Sequence, residues 1–491
     1  MVEYAAGAVN KDRLNNRKLG ISMGSNIIIL ALIFLEIVAF WFAWRAVSSA
    51  RTSQGAVGWV VFLITAPYLG VPLYLFLGHH KFKNYLIARR DSEEVIEGLR
   101  TYQMANAPVK TPELSVQPFE KISEMPTARG NNMILLVDGK ATFDAIFCAI
   151  DAAETYVLVQ FYIINDDALG QALQEHLIAA AARGVVVRLM FDAVGSAKLP
   201  RAYYQRLLEA GVHVVDPKKT RGPKNRFHIN LRNHRKTVIV DGKVGFTGGL
   251  NVGDEYMGLN PKFGDWRDTH AQLKGPVVSQ LQLVFGEDWH WATNEVLIND
   301  LNWEAPHATE DMTAMIVATG PGDEMETGAL FFFSAITAAK HRVWIASPYF
   351  VPDTDVLTAM KHASLRGVDV RILVPEVIDH KIPWLAAFAY FDEIREAGVQ
   401  VWRYKPGFMH QKVVLVDDDF AAIGTTNLDN RSFRLNFEAM ATFFDSRPAA
   451  ATAAMLENDF HRAWMLNKTL AEQPLGIRVG APIARLFAPV L

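Results

Sequence analysis

The chain has 491 residues, 50% of them hydrophobic and 21% charged, which excludes a disordered chain and leaves apolar surface for several cores. Its 49 Lys and Arg against 52 Asp and Glu give a formal charge of −3, so no global positive field gathers nucleic acid and anion binding must be local. The one cysteine, Cys148, excludes an intramolecular disulfide, a multi-cysteine zinc site and an iron–sulfur cluster.

Residues 27–44 form an apolar run of 18 broken only by Glu36, and residues 56–78 a second of 23 without a charge. Each is long enough to cross a bilayer as a helix, which predicts a two-helix membrane hairpin within residues 1–100, with spans of about 26–47 and 56–78. Lys11, Arg13, Arg17 and Lys18 precede the pair and Lys81, Lys83, Arg89 and Arg90 follow it, against Arg45 and Arg51 at the connection. This asymmetry predicts a multi-pass membrane protein with its N-terminus and everything after residue 80 in the cytoplasm. A re-entrant hairpin is the alternative, because Pro67 and Pro72 interrupt the second run. Glu36, in mid-span, is expected to face the second helix or to stay protonated.

Residues 101–130 carry Pro108, Pro112, Pro118 and Pro126 with little periodicity and read as a linker. From there the sequence repeats itself. ARGVVVRL at 182–189 is echoed by LRGVDVRI at 365–372, and EAGV at 209–212 by EAGV at 396–399. Each copy runs from an apolar helix (143–153; 329–339) to a strand (156–164; 342–349), then helix, Gly-Val strand, helix and Gly-Val strand. Such alternation predicts two α/β lobes with mixed sheets related by internal duplication, at 131–305 and 306–491.

Both copies then reach one constellation. The first reads His234, Lys236 and Asp241 followed by Gly248 and Asn251; the second reads His410, Lys412 and Asp417 followed by Gly424 and Asn427, with Asn 17 positions after His in each. One H-x-K-x-x-x-x-D is expected by chance on the order of 0.03 times in a chain of this composition, so two in matched register mark a duplicated site. The apolar run after each Lys is a strand, which sets His and Lys on one face. The odd offset takes Asp241 and Asp417 off that face, and they are expected to act mainly in the turn, as the adjacent Gly242 suggests for the first.

Two imidazoles, two ammonium groups and two Asn side chains around one pocket make a site for a phosphodiester. The Lys pair offsets the anionic charge, one His protonates the leaving alkoxide, and the other attacks phosphorus to form a covalent phosphohistidine. The sequence leaves open which His attacks. Each imidazole needs an acceptor to orient it, and Asp268 and Glu438 occupy corresponding places in the two copies. No G-x-x-x-x-G-K-[ST], G-x-G-x-x-G or H-E-x-x-H pattern occurs, so no nucleotide, metal or other cofactor is expected.

The paired His-Lys-Asp signature resembles that of the phospholipase D superfamily. PYLGVPLY at 67–74, NHRK at 233–236, WRDTH at 266–270, NLDNRSFRLNFE at 427–438 and ARLFAPVL at 484–491 are similar to the bacterial cardiolipin synthases within it, over nearly the whole chain. The resemblance implies transfer of a phosphatidyl group from one phosphatidylglycerol to another, giving cardiolipin and glycerol without a metal. Where the family commonly has Gly-Ser, this chain has Gly424-Thr425, and Thr keeps the hydroxyl.

Anionic membrane lipid is the expected partner and nucleic acid is not. Lys218, Lys219, Arg221, Lys224, Arg226, Arg232 and Arg235 cluster at the first motif, a feature that attracts anionic headgroups. A phospholipase D that hydrolyses its lipid is the nearest alternative, separated only by exclusion of water. The stretches 331–333, 348–350 and 384–390 are candidates either to wall off the site or to fill the core. A non-catalytic lipid-binding scaffold is the second alternative.

Overall fold

The computed structural model describes residues 26–48, 53–78, 114–215, 231–323 and 325–491. They fall into two compact units, one made of the N-terminal helices and one holding both repeats. The basic residues at 11–18, 81–90 and 218–226, and Arg51, lie outside the described residues.

In the first unit, α1 (Asn26–Ser48) is long and apolar enough to cross a membrane. The second apolar run departs from the single span expected: it forms α2 (Ser53–Thr65) and α3 (Pro67–Leu77), broken at Ala66. Pro67 has no N–H and crowds the residue before it out of the helical region, and Ala66 accordingly has φ −140°. A Cβ at Gly70 would lie 3.0 Å from Leu63 Cα, so the chain turns back sharply at the break. Neither half, at about 20 Å or less, matches a hydrocarbon layer of roughly 30 Å. Ala39, Phe42, Ala43 and Ala46 of α1 pack with Leu63, Val71 and Tyr74. Glu36 is exposed rather than turned toward the other helices.

The stretch expected as a linker holds a further helix, α4 (Gln117–Ser123). Its Phe119 is buried against Phe331, Phe420 and Phe444, so this segment belongs to the core of the second repeat.

Among the described residues the first lobe contributes nine strands, β1 (Ala128–Val137), β2 (Tyr156–Phe161), β3 (Val186–Phe191), β4 (His213–Val214), β5 (Arg232–Asn233), β6 (Thr237–Val240), β7 (Val244–Gly248), β8 (Asp265–Arg267) and β9 (Thr269–Lys274). The second contributes β10 (Met312–Thr319), β11 (Arg342–Ala346), β12 (Phe350–Val351), β13 (Asp369–Pro375), β14 (Gln400–Tyr404), β15 (Gly407–Met409), β16 (Val413–Val416), β17 (Phe420–Gly424), β18 (Leu428–Asp429), β19 (Asn436–Phe444) and β20 (Ala463–Met465).

The duplication is visible in the strand order. The first half-sheet runs β1-β9-β7-β6-β2-β3-β4 and the second β10-β19-β17-β16-β11-β13-β14-β20. Antiparallel pairing of β1 with β10 joins them into one mixed sheet. A bulge lies at the seam between Ala128 and Asn131, where the buried Asn131 amide donates to Ala128 and Met312 carbonyls and accepts from Val277 N–H. The equivalent central strands β6 and β16 are buried throughout, as the apolar runs after Lys236 and Lys412 require.

Candidate active site

Each motif histidine is delivered by a short strand that pairs with the opposite lobe. β5, just before His234, runs parallel to the start of β19 in the second lobe, with Asn233 opposite Phe437. β15, just before His410, runs parallel to β8 in the first lobe, with Met409 opposite Arg267. His234 N–H donates to the Phe437 carbonyl at 3.0 Å and His410 N–H to the Arg267 carbonyl at 2.8 Å. This register brings the next residue of each partner strand, a carboxylate, onto the imidazole. Glu438 Oε2 lies 2.9 Å from His234 Nδ1, and Asp268 Oδ2 lies 2.9 Å from His410 Nδ1. The two orienting carboxylates therefore act crosswise.

Both crossings are clamped by buried arginines. Arg235 donates to the Glu438 carbonyl at 3.0 Å and to Asp288 at 2.6 Å. Arg267 donates to the Asp268 carbonyl at 2.5 Å and binds both oxygens of Asp459 at 2.8 Å. Gln411, between His410 and Lys412, donates to the same Asp459 at 2.9 Å.

The two halves support their carboxylates differently. Thr425 Oγ1 donates to Glu438 Oε2 at 2.5 Å and accepts from Ala439 N–H at 3.0 Å. The corresponding Gly249 has no side chain because Asp268 fills that space: a Cβ there would stand 1.9 Å from Asp268 Oδ1. Asp268 is held instead by Thr269 N–H at 2.8 Å and Trp266 Nε1 at 3.4 Å.

Burial sets the protonation states. It lowers His234 to about 4 against the opposing pull of Glu438, with Lys236 and Lys412 pushing the same way. His410 is also at about 4, from burial and from the Lys412 ammonium 2.9 Å from Nδ1. Burial brings Lys412 down to about 8 and holds Lys236 well below its ordinary value. Burial favours the acid forms of Asp268 and Glu438, but the paired imidazoles and the lysines outweigh it and hold both below the usual carboxylate range. At neutral pH the unliganded site thus carries two ionised carboxylates and two neutral imidazoles, whose free ring nitrogen is Nε2.

His234 and His410 line one cavity of about 430 Å3, together with Asn251 and Asn427. Lys236 and Lys412 stand behind the rings, donating to the carbonyls of His234, at 2.6 Å, and His410. The Asn pair is not equivalent. Asn251 accepts from Ile163 N–H at 3.1 Å and reaches Tyr256 Oη at 3.4 Å, whereas Asn427 Oδ1 is buried with no partner among the described residues. Asp241 and Asp417 are not brought into the cavity. Both have positive φ in the turns after β6 and β16, and each accepts three successive main-chain N–H groups: Asp241 from Glu154, Thr155 and Tyr156, Asp417 from Lys340, His341 and Arg342. They tie the motif strand to the start of β2 or β11.

Residues that the motifs did not reveal complete the walls. Tyr162 lies edge-on to His234 at 5.0 Å, Trp266 packs 5.3 Å from His410, and Tyr349, Arg431 and Asn436 also line the cavity. Tyr162 lies one residue past β2 and Tyr349 three residues past the equivalent β11, so comparison of the two copies around those strands finds both once one residue is allowed for. Of the apolar stretches considered as walls, Tyr349 lines the cavity, while Phe331, Phe332 and Phe350 are core.

Two outcomes are predicted. Gly249→Ala displaces Asp268 and should abolish turnover, while Thr425→Ser keeps the hydroxyl and should retain it; purified variants compared for rate and circular dichroism test this, and an active Gly249→Ala protein contradicts it. Both imidazoles start neutral, so if one of them serves as an acid toward a bound phosphate-like anion, binding of tungstate at pH 7 should take up about one proton. Calorimetry in buffers of different ionisation enthalpy reads that uptake; identical enthalpies in all buffers would show the acid already charged.

The chain matches the family described as "Cardiolipin synthase, PLD-like domain" over residues 146–289 and 332–464, and "Phospholipase_D-nuclease N-terminal" over residues 37–79. It is 44% identical over 508 aligned residues to Cardiolipin synthase A of Pseudomonas aeruginosa (strain LESB58), covering 99% of this chain and 100% of the relative. It is 46% identical to Cardiolipin synthase A of Pseudomonas putida (strain GB-1), covering 91% and 95%. The solved structure of phosphatidylserine synthase from Haemophilus influenzae Rd KW20 superposes with a TM-score of 0.57 at 14% identity, over 76% of this chain and 99% of that one, a likeness of fold. The two crossed lobes and their paired motifs belong to a shared lineage: the chain is a member of the cardiolipin synthase family of phospholipase D-like proteins.

Proposed function

We propose that the protein, a phosphatidyltransferase that makes cardiolipin, uses phosphatidylglycerol as both donor and acceptor and passes through a phosphohistidine. The observation that carries this reading is that His234 and His410 line one cavity, each oriented through Nδ1 by the other lobe's carboxylate. Nε2 of one imidazole attacks phosphorus while the other, protonated, gives its proton to the departing glycerol oxygen. The P–O bond breaks and a P–N bond forms. The second imidazole, now neutral, takes the proton from a hydroxyl of the acceptor phosphatidylglycerol, whose oxygen displaces the first imidazole. Each step exchanges one phosphoester-level bond for another, and the phosphohistidine supplies the free energy of the second.

In this reading Lys236 and Lys412 offset the charge on the phosphoryl oxygens, and Asp268 and Glu438 fix the tautomers and stabilise whichever imidazolium forms. Asn427 binds the substrate directly, and Asn251 holds the Ile163 main chain that lines the same cavity. Asp241 and Asp417 preserve the turns. The rings of Tyr162, Trp266 and Phe408 around the imidazoles favour exchange over hydrolysis by limiting water at the phosphohistidine.

The protein works at the bacterial inner membrane, with α1 as the membrane-crossing helix and the folded-back pair α2–α3 as a re-entrant hairpin packed on it.

Purified full-length protein in phosphatidylglycerol vesicles should form cardiolipin and glycerol in equal amounts without added nucleotide. Phosphatidic acid as the main product would identify a hydrolase instead, and lipid binding without turnover would identify a scaffold.

A further inference from the structure

Helix Leu475–Arg485 has two apolar faces. Ile477, Gly480, Ala481 and Ala484 pack inward, and helix Lys381–Arg395 lies against them so closely that a Cβ at Gly480 would meet the Leu385 side chain at 3.3 Å. The second face is bare. Leu475, Val479 and Ile483 recur every fourth residue, Leu486 and Phe487 continue the same side, and all five are between 50 and 78% exposed. At 3.6 residues per turn they share about one third of the helix circumference. Among the described residues of the two lobes no other segment exposes as many large apolar side chains. Arg478 and Arg485 lie together on one flank of this stripe, Arg485 resting over the Tyr390 ring at 4.4 Å.

The stripe is continuous with the catalytic cavity. Three residues beyond Phe487 the chain reaches Val490 and Leu491, which line the cavity, and Arg431 N–H donates to the Leu491 carbonyl at 2.6 Å. Pro383, from the helix on which Leu475–Arg485 packs, lines it too. The cavity holds about 430 Å3 and is walled by His, Asn, Asp and Arg side chains together with the rings of Tyr162, Phe263 and Trp266, a volume suited to a headgroup and too small to take two acyl chains as well. The chains of a bound lipid must leave through the opening, and the exposed apolar stripe runs within three residues into the chain that lines the cavity.

We propose that helix Leu475–Arg485, with Leu486 and Phe487, lies in the headgroup–acyl boundary of an anionic bilayer and seats the cavity mouth on the surface from which the lipid headgroup enters. This rests on the phospholipid reading of the cavity. Leu475, Val479, Ile483 and Phe487 face the acyl region, and Arg478 carries its guanidinium up to the lipid phosphates. The N-terminal helices tether the chain; the stripe orients the catalytic lobes for headgroup capture.

Two measurements on the full chain test this. In a Cys148→Ser background, a fluorophore on Val479→Cys should be quenched by doxyl-labelled lipid in phosphatidylglycerol vesicles. The Leu475→Gln, Val479→Gln, Ile483→Gln variant should lose roughly tenfold in cardiolipin formation from those vesicles while its turnover of monomeric short-chain phosphatidylglycerol stays within about twofold. Equal losses on both substrates, or an unquenched label, would overturn the proposal. So would concentration-dependent self-association that the triple variant abolishes, which would assign the stripe to a second copy of the chain. Quenching in a wild-type protein that turns over neither substrate would strike the phospholipid chemistry alone and leave the docking surface supported.

Discussion

The constraint on which the structure depends is the crossed parallel pairing of β5 with β19 and β15 with β8. Each crossing carries one histidine onto the other lobe's carboxylate. Glu438, Asp268 and Lys236 are fully buried, and a buried charge stripped of its partner costs about 3–5 kcal/mol. Each lobe alone leaves its histidine without a carboxylate and its carboxylate without an imidazole. The half-site of one repeat is electrostatically incomplete without the other, so the candidate active site requires the same contact between the repeats that joins the sheet across β1 and β10.

Duplication has been followed by local divergence that preserves this logic. The arginine clamping the first crossing sits beside the histidine, as Arg235; the one clamping the second sits beside the carboxylate, as Arg267. Each is anchored by an aspartate on the last long helix of a lobe, Asp288 or Asp459. The positive charge has changed strands without changing its role. Likewise a longer carboxylate, Glu438, is steadied by a hydroxyl from Thr425, whereas the shorter Asp268 occupies the space that Gly249 leaves open. The two imidazoles end in matched environments, both near 4, through unmatched means. The proposed mechanism nevertheless asks different tasks of them: one imidazole is nucleophile and then leaving group, the other acid in the first displacement and base in the second.

Much of this was legible in the sequence. The repeat, the strand after each Lys and the carboxylates Asp268 and Glu438 followed from comparing one half of the chain with the other. Their crosswise action was not legible, because β5 and β15 are two and three residues long and so short a strand leaves no periodicity. Asp241 and Asp417 carry the conspicuous letter of the motif yet serve the fold, as their odd offset from Lys indicated. Tyr162 lay hidden because a single Tyr after a strand has no pattern of its own, whereas Tyr349 falls in the stretch 348–350 that the sequence offered as a wall. The second apolar segment looked like one span because hydropathy counts apolar residues and overlooks what Pro67 does to Ala66.

The central claim is that two imidazoles serve a single phosphorus in two successive in-line displacements. The stereochemical course at phosphorus tests it most directly, using phosphatidylglycerol made chiral there with sulfur. Two displacements predict cardiolipin formed with overall retention. Inversion would mean that the acceptor hydroxyl attacks the donor lipid in one step, and the phosphohistidine would have to be abandoned.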